Sequence, residues 1–155
     1  MAMTSKSGPL TIRIWRPRGI LLVLLCLMCG CAKENDWKEV FPVRGKLLVD
    51  GQPAAGAMVS FLAEADVSNP RALRSTGEVQ ADGTFRLTTY LSYDGAPAGR
   101  HVVTAYWPGP LPENGSPTDV GPDRLQGRYV TPAHPLARVT IEENENALEP
   151  FRVDH

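Results

Sequence analysis

Beyond Phe41 the sequence predicts an all-β fold, a two-sheet β-sandwich of seven strands. Three observations carry that expectation. Apolar and polar residues alternate at period two in short runs, which is the pattern of strands with one buried face. Gly and Pro, 14 each in 155 residues, interrupt the chain too often for long helices. Asp-Gly pairs recur at 50–51, 82–83 and 94–95 and supply turn residues that tolerate positive φ. At 43% hydrophobic, 21% charged and 7% aromatic, the composition is that of one ordinary domain and leaves no room for a second sizeable one.

The elements follow in order. Val43, Gly45, Leu47 and Val49 alternate with Arg44, Lys46 and Asp50 on a first strand, with Leu48 breaking its polar face, and Asp50-Gly51-Gln52-Pro53 turns the chain. A second strand over 57–63 points Val59 and Phe61 inward. A third over 74–80 and a fourth over 84–88 are joined at Ala81-Asp82-Gly83, so residues 74–88 are expected to form a tight hairpin with Phe85 and Leu87 buried. The fifth, 100–107, places His101, Val103, Ala105 and Trp107 on one face; the sixth spans 137–142 and the seventh about 148–153, with Phe151 and Val153 inward. Between the fifth and sixth lies a stretch, 108–136, with seven prolines, which lack the N–H that a central ladder requires. It is expected to be a draped excursion anchored by Leu125, Tyr129, Val130 and Leu136.

Ahead of the body, Lys6, Arg13, Arg16 and Arg18 precede an apolar run over 19–29 and a small residue, Gly30, before Cys31. These are the charged, apolar and cleavage regions of a secretory signal. Eleven apolar residues at a helical rise cover only about 16 Å, roughly half of a hydrocarbon core. All three cysteines (26, 29 and 31) sit at this junction, so no internal disulfide can hold the body. Met28-Cys29-Gly30-Cys31 resembles a bacterial lipobox, although Met28 and Cys29 stand where Leu and Ala or Ser are usual. Residues 1–30 are accordingly expected to be a lipoprotein signal peptide, and 31–41 a lipidated Cys31 with a polar tether, in preference to an ordinary cleaved signal or an uncleaved anchor. Two or more acyl chains at about 0.8 kcal/mol per buried CH₂ would make the attachment lasting. Ala32 in place of the Asp-type retention signal of enterobacterial lipoproteins favours the outer over the inner membrane by the same resemblance. Trp37 in the tether either docks on the body or meets the lipid interface.

From residue 31 onward twelve Lys and Arg face seventeen acids, a net −5. That balance argues against a nucleic-acid partner, because phosphate binding needs clustered cations.

Val43-Arg44-Gly45-Lys46, then Asp50-Gly51-Gln52-Pro53-Ala54-Ala55-Gly56-Ala57-Met58-Val59-Ser60-Phe61, then Ala81-Asp82-Gly83-Thr84-Phe85-Arg86-Leu87-Thr88-Thr89 together resemble a carboxypeptidase regulatory-like domain. Asp94-Gly95-Ala96-Pro97, Leu125-Gln126-Gly127-Arg128-Tyr129 and the 142–146 run are similar to small bacterial lipoproteins built on it. The resemblance covers about residues 42–153 and implies a seven-stranded Greek-key sandwich of the transthyretin-like, or prealbumin-like, kind over 42–155. Such modules are mostly accessory, so it implies little about activity. His101 stands where that pattern commonly has Tyr, and is either a buried replacement with a satisfied ring nitrogen or a site residue.

The chemistry of an enzyme is not legible. His101, His134 and His155 are scattered, and no H-E-x-x-H, Cys pair or G-x-S-x-G is present. The hydroxyisourate hydrolases that share the transthyretin-like fold end in Tyr-Arg-Gly-Ser, whereas this chain ends Phe151-Arg152-Val153-Asp154-His155. Asp50, Asp82 and Asp94 before Gly read as turn chemistry ahead of calcium ligands, and residues 142–146 as a solvated turn ahead of a metal site. No catalytic residue, metal or cofactor is therefore expected. Tyr90, Tyr93 and Tyr106 are the candidate ligand contacts, since sugars stack on exposed aromatics. The expectation is a non-catalytic, lipid-anchored cell-envelope protein, structural or adhesive, holding an envelope protein or glycan near the membrane. The alternative is a carbohydrate- or calcium-binding envelope module.

Overall fold

A computed structural model describes residues 37–114, 116 and 119–154. The expected signal peptide, Cys31 and most of the expected tether lie outside the described residues. Trp37 to His155 forms one compact unit, and its architecture is all-β. Two sheets face each other across an apolar core, as a β-sandwich requires.

The first sheet is centred on β1 (Val43–Val49). Along one side β1 pairs antiparallel with β2 (Gln52–Pro53) and β5 (Thr84–Arg86). Along the other it pairs parallel with β8 (Asn146–Ala147) and β9 (Phe151–Val153). The second sheet runs β4-β3-β6-β7, all antiparallel, from β4 (Arg74–Glu78) and β3 (Met58–Ala63) through β6 (Gly99–Tyr106) to β7 (Ala137–Ile141). A single 3-10 turn, Glu64–Asp66, follows β3.

The inward residues of both sheets make the core: Val43, Leu47, Phe85 and Val153 from one, Val59, Phe61, Val103 and Ile141 from the other. Phe61 meets Phe85 and Phe151 with ring centroids 6.1 and 6.4 Å apart, so aromatic packing closes the space between the sheets. The Asp50-Gly51 turn is as the sequence predicts: both residues have positive φ, 50° and 76°, and they join register partners Val49 and Gln52. This is the backbone twist that suits a two-residue hairpin.

Four expectations need correction. Nine strand segments, not seven, are found among the described residues, because β2 and β8 add two-residue pairings on β1 too short to show an alternation. The hairpin over 74–88 keeps its turn, with Gly83 donating to the Gln80 carbonyl, but β4 belongs to one sheet and β5 to the other. The two arms touch at a Thr76–Thr88 bridge, just beyond the end of β5. Alternation reveals which residues turn inward, not which neighbour supplies the ladder, and β3 and β1 each offer a longer pairing. On β6, His101, Val103 and Ala105 are buried on one face, and Val102 and Thr104 on the opposite face are buried as well. In the 142–146 run the acids are exposed, but Asn146 is buried and its amide closes the turn on the Glu142 N–H and the Glu142 and Asn144 carbonyls.

The proline-rich excursion is tied at both flanks. Gly109 N–H donates to the Pro122 carbonyl, Arg124 N–H to the Trp107 carbonyl and Leu136 N–H to the Val103 carbonyl. Asp123 accepts from the N–H groups of Trp107, Leu125 and Gly127 at 2.9, 3.1 and 2.8 Å. Leu125 is buried, and Tyr129 and Leu136 pack on the core, whereas Val130 is exposed and anchors nothing.

Candidate functional site

The two sheets treat charge differently on their outer faces. On the four-stranded sheet Glu64 takes both Arg100 at 2.9 Å and Arg138 at 3.3 Å, while Arg74 on β4 forms no ion pair among the described residues. On the five-stranded sheet the odd residues of β1 point into the core, which sends Arg44, Lys46 and Leu48 outward. The register sets Arg86 opposite Arg44, Thr84 opposite Lys46 and Arg152 opposite Leu48. Four cations thus share one face of an otherwise acidic body. Among the described residues Arg86 and Arg152 form no ion pair; Arg44 meets the Glu145 carboxylate at 3.0 Å, with both side chains largely exposed.

Two clefts open on this face and share the Arg44–Arg86 ridge. One, about 260 Å³, is walled by Pro42, Val43, Tyr93 and Glu145. The other, about 520 Å³, has an apolar floor of Gly45, Ala147, Leu148 and Pro150 beside Lys46. The Arg86 guanidinium lies 4.6 Å from the centroid of the Tyr93 ring, an exposed cation–π contact.

Tyr93 is held in place by its loop. Its φ is 63°, in the left-handed region that a bulky residue enters at a cost of about 1 kcal/mol. Its N–H donates to the Thr88 hydroxyl at 2.9 Å. Next to it the Asp94 carboxylate accepts from the N–H groups of Thr89, Tyr90 and Leu91 at 2.7, 2.9 and 2.8 Å. Partial burial would raise the Asp94 pKa, but these backbone donors hold it below the ordinary 3.8. Gly95 is required here: with φ at 105°, any Cβ would collide with the Phe41 carbonyl.

The three tyrosines do not converge. Tyr90 stacks on Trp37 with centroids 4.8 Å apart and planes 6° from parallel, and its hydroxyl accepts from the Lys38 N–H, so Trp37 docks on the body. Tyr106 donates its hydroxyl to the Gly121 carbonyl and fastens the proline-rich excursion. Only Tyr93 stands beside the cationic clefts, about half exposed.

His101 is buried at 3% exposure, its Nδ1 3.0 Å from the Gly99 carbonyl and its ring beside Phe61. Desolvation pushes its pKa below 6.5, against the Gly99 bond. This is the satisfied core histidine of the two sequence readings. The Asp82 carboxylate accepts from the N–H and hydroxyl of Thr84, which lower its pKa. Asp82 and Asp94 thus spend oxygens on turn donors, an arrangement suited to shaping loops. No cluster of three or more metal-ligating side chains occurs among the described residues, and no described helix is long and apolar enough to cross a membrane.

Sequence reasoning passed over Arg44, Lys46, Arg86 and Arg152 as generic polar-face residues. Their one signal was outward phase, with Arg44 and Lys46 on β1, Arg86 on β5 and Arg152 on β9; only strand register shows that they meet. No family model, curated protein or solved structure matches this chain. The fold and this face define a class: an all-β, two-sheet protein with a cationic outer face.

Proposed function

We propose that the chain is a non-catalytic, lipid-anchored protein of the bacterial cell envelope, a structural or adhesive module whose contact surface is the outer face of the five-stranded sheet. In this reading its fold is a Greek-key sandwich of the transthyretin-like kind, resembling the carboxypeptidase regulatory-like domain, and Cys31 carries the acyl chains. The outer membrane is the expected location. The observation that supports the contact surface is the gathering of Arg44, Lys46, Arg86 and Arg152 on one face, Arg86 and Arg152 forming no ion pair among the described residues, on a body of net −5. Unpaired like charges gathered on one face repel each other, and an anionic partner relieves that repulsion. Trp37 docked on Tyr90 supports a tether that leaves the membrane and joins the body at a defined point. Among the described residues His101 is buried with its Nδ1 on the Gly99 carbonyl, which supports a packing role for this side chain over acid–base chemistry.

Fractionation tests the anchor. Cys31→Ala should move the protein from the membrane pellet to the soluble fraction, and continued pelleting in high salt would overturn lipid attachment. Arg86→Gln with Lys46→Gln should reduce retention on immobilised anionic envelope material, while Arg138→Gln on the other sheet should not.

A further inference from the structure

Resting on that assignment of the contact face, we infer that the paired clefts on either side of the Arg44–Arg86 ridge bind an acidic saccharide, a short run of sugar rings carrying carboxylates. Size comes first. The larger cleft, about 520 Å³, falls in the range of small-ligand sites, roughly 300–1,000 Å³, and the smaller, about 260 Å³, lies just below it. Because both are walled by Arg44 and Arg86, a ligand can enter each side with its charged group on the ridge.

Chemistry selects the ligand. The larger cleft combines the apolar floor at Ala147, Leu148 and Pro150 with a rim of Arg44, Lys46 and Arg86. A pyranose offers the matching pair of surfaces, a C–H face for the floor and a carboxylate for the guanidinium. Glu145 already lies against Arg44 at 3.0 Å, so Arg86, over the Tyr93 ring and in no ion pair among the described residues, is the guanidinium open to a ligand carboxylate. Tyr93, fixed in the left-handed region, gives the smaller cleft a rigid aromatic wall.

Other anions fit less well. A bilayer surface presents headgroups to a flat or convex face and has no use for two concavities. An acidic peptide bound by strand addition needs free ladder groups at a sheet edge. The clefts instead lie over β1, whose two sides are already paired to β5 and β8.

The full chain in detergent micelles is the material for the test, and a galacturonate tetramer the probe, with its methyl ester as the neutral counterpart. Titration calorimetry should show the tetramer binding at least tenfold more tightly than the ester. Arg86→Gln should reduce that affinity at least tenfold, Tyr93→Ala several-fold, and Arg138→Gln not at all. Equal binding of acid and ester, or no effect of Arg86→Gln on tetramer binding, overturns the saccharide assignment. Arg86-dependent binding to acidic phospholipid vesicles or to a glutamate peptide without tetramer binding also overturns it, yet leaves the contact face standing. Absence of Arg86-dependent binding to any of these anions overturns both.

Discussion

Arg44 and Arg86 are register partners across the β1–β5 ladder, and their side chains project to the same outer face. Like charges directly opposite in a ladder are destabilising, and Glu145 offsets only the first of them. Replacing Arg86 with Thr, a good strand former, should therefore raise stability by about 0.2–1 kcal/mol while removing anion affinity. Chemical denaturation alongside a binding titration checks both halves. A variant that is destabilised would mean that the Tyr93 contact outweighs the repulsion.

Glu145 competes with any bound carboxylate for Arg44. Glu145→Gln should tighten binding of a carboxylated ligand by several-fold and steepen its dependence on salt, as expected when an internal counter-charge is removed. Affinities measured at two ionic strengths provide the comparison.

Trp37, the first described residue, is held against the body through its stack on Tyr90. Trp37→Ala should lower stability by no more than about 1 kcal/mol, since the ring is 60% exposed. Protease cleavage within residues 33–40 should nevertheless become faster. Unchanged cleavage would show that the Lys38 contacts to Tyr90 and Asp66 hold the segment alone.

Asp123 gathers three backbone N–H groups at the root of the proline-rich excursion. Asp123→Ala leaves them without that acceptor and should cost about 2 kcal/mol. Limited proteolysis should then cut within 108–136, whereas the sheets should keep their far-ultraviolet dichroism.

His101 gives a pH dependence of defined sign. Its folded pKa lies below the ordinary 6.5, so between those values the unfolded chain binds the extra proton. Its contribution is present above pH 6.5 and is lost as pH falls through that window toward the folded value. Urea midpoints should drop between pH 7.5 and 5.5, and the drop should be smaller in His101→Phe. Equal drops in the two proteins would assign the dependence to other groups.

Much of the fold was legible because it is local. The Asp50-Gly51 turn, the inward phase of Val43, Leu47, Val59, Phe61 and Phe85, and the exclusion of 108–136 from the sheets all follow from residue type and spacing. The hairpin over 74–88 shows where this ends: its turn is encoded in Ala81-Asp82-Gly83, but the partners of its two arms are not. Of the three candidate tyrosines, Tyr93 reached the clefts, while Tyr90 and Tyr106 were taken up by Trp37 and Gly121. An exposed aromatic and one that fastens a neighbouring segment have the same appearance in sequence.

Residue type and local spacing were enough for the all-β character, the main turns, the acidic balance of the body and the features that predict an anchored N-terminus. Each depends on composition or on neighbours a few residues apart. Tertiary structure alone decided that β8 and β9 run parallel to β1, that β4 and β5 separate into different sheets, and that Arg44, Lys46, Arg86 and Arg152 share one face. Those outcomes depend on strand register, and register is set by packing between residues as far apart as Arg44 and Ala147.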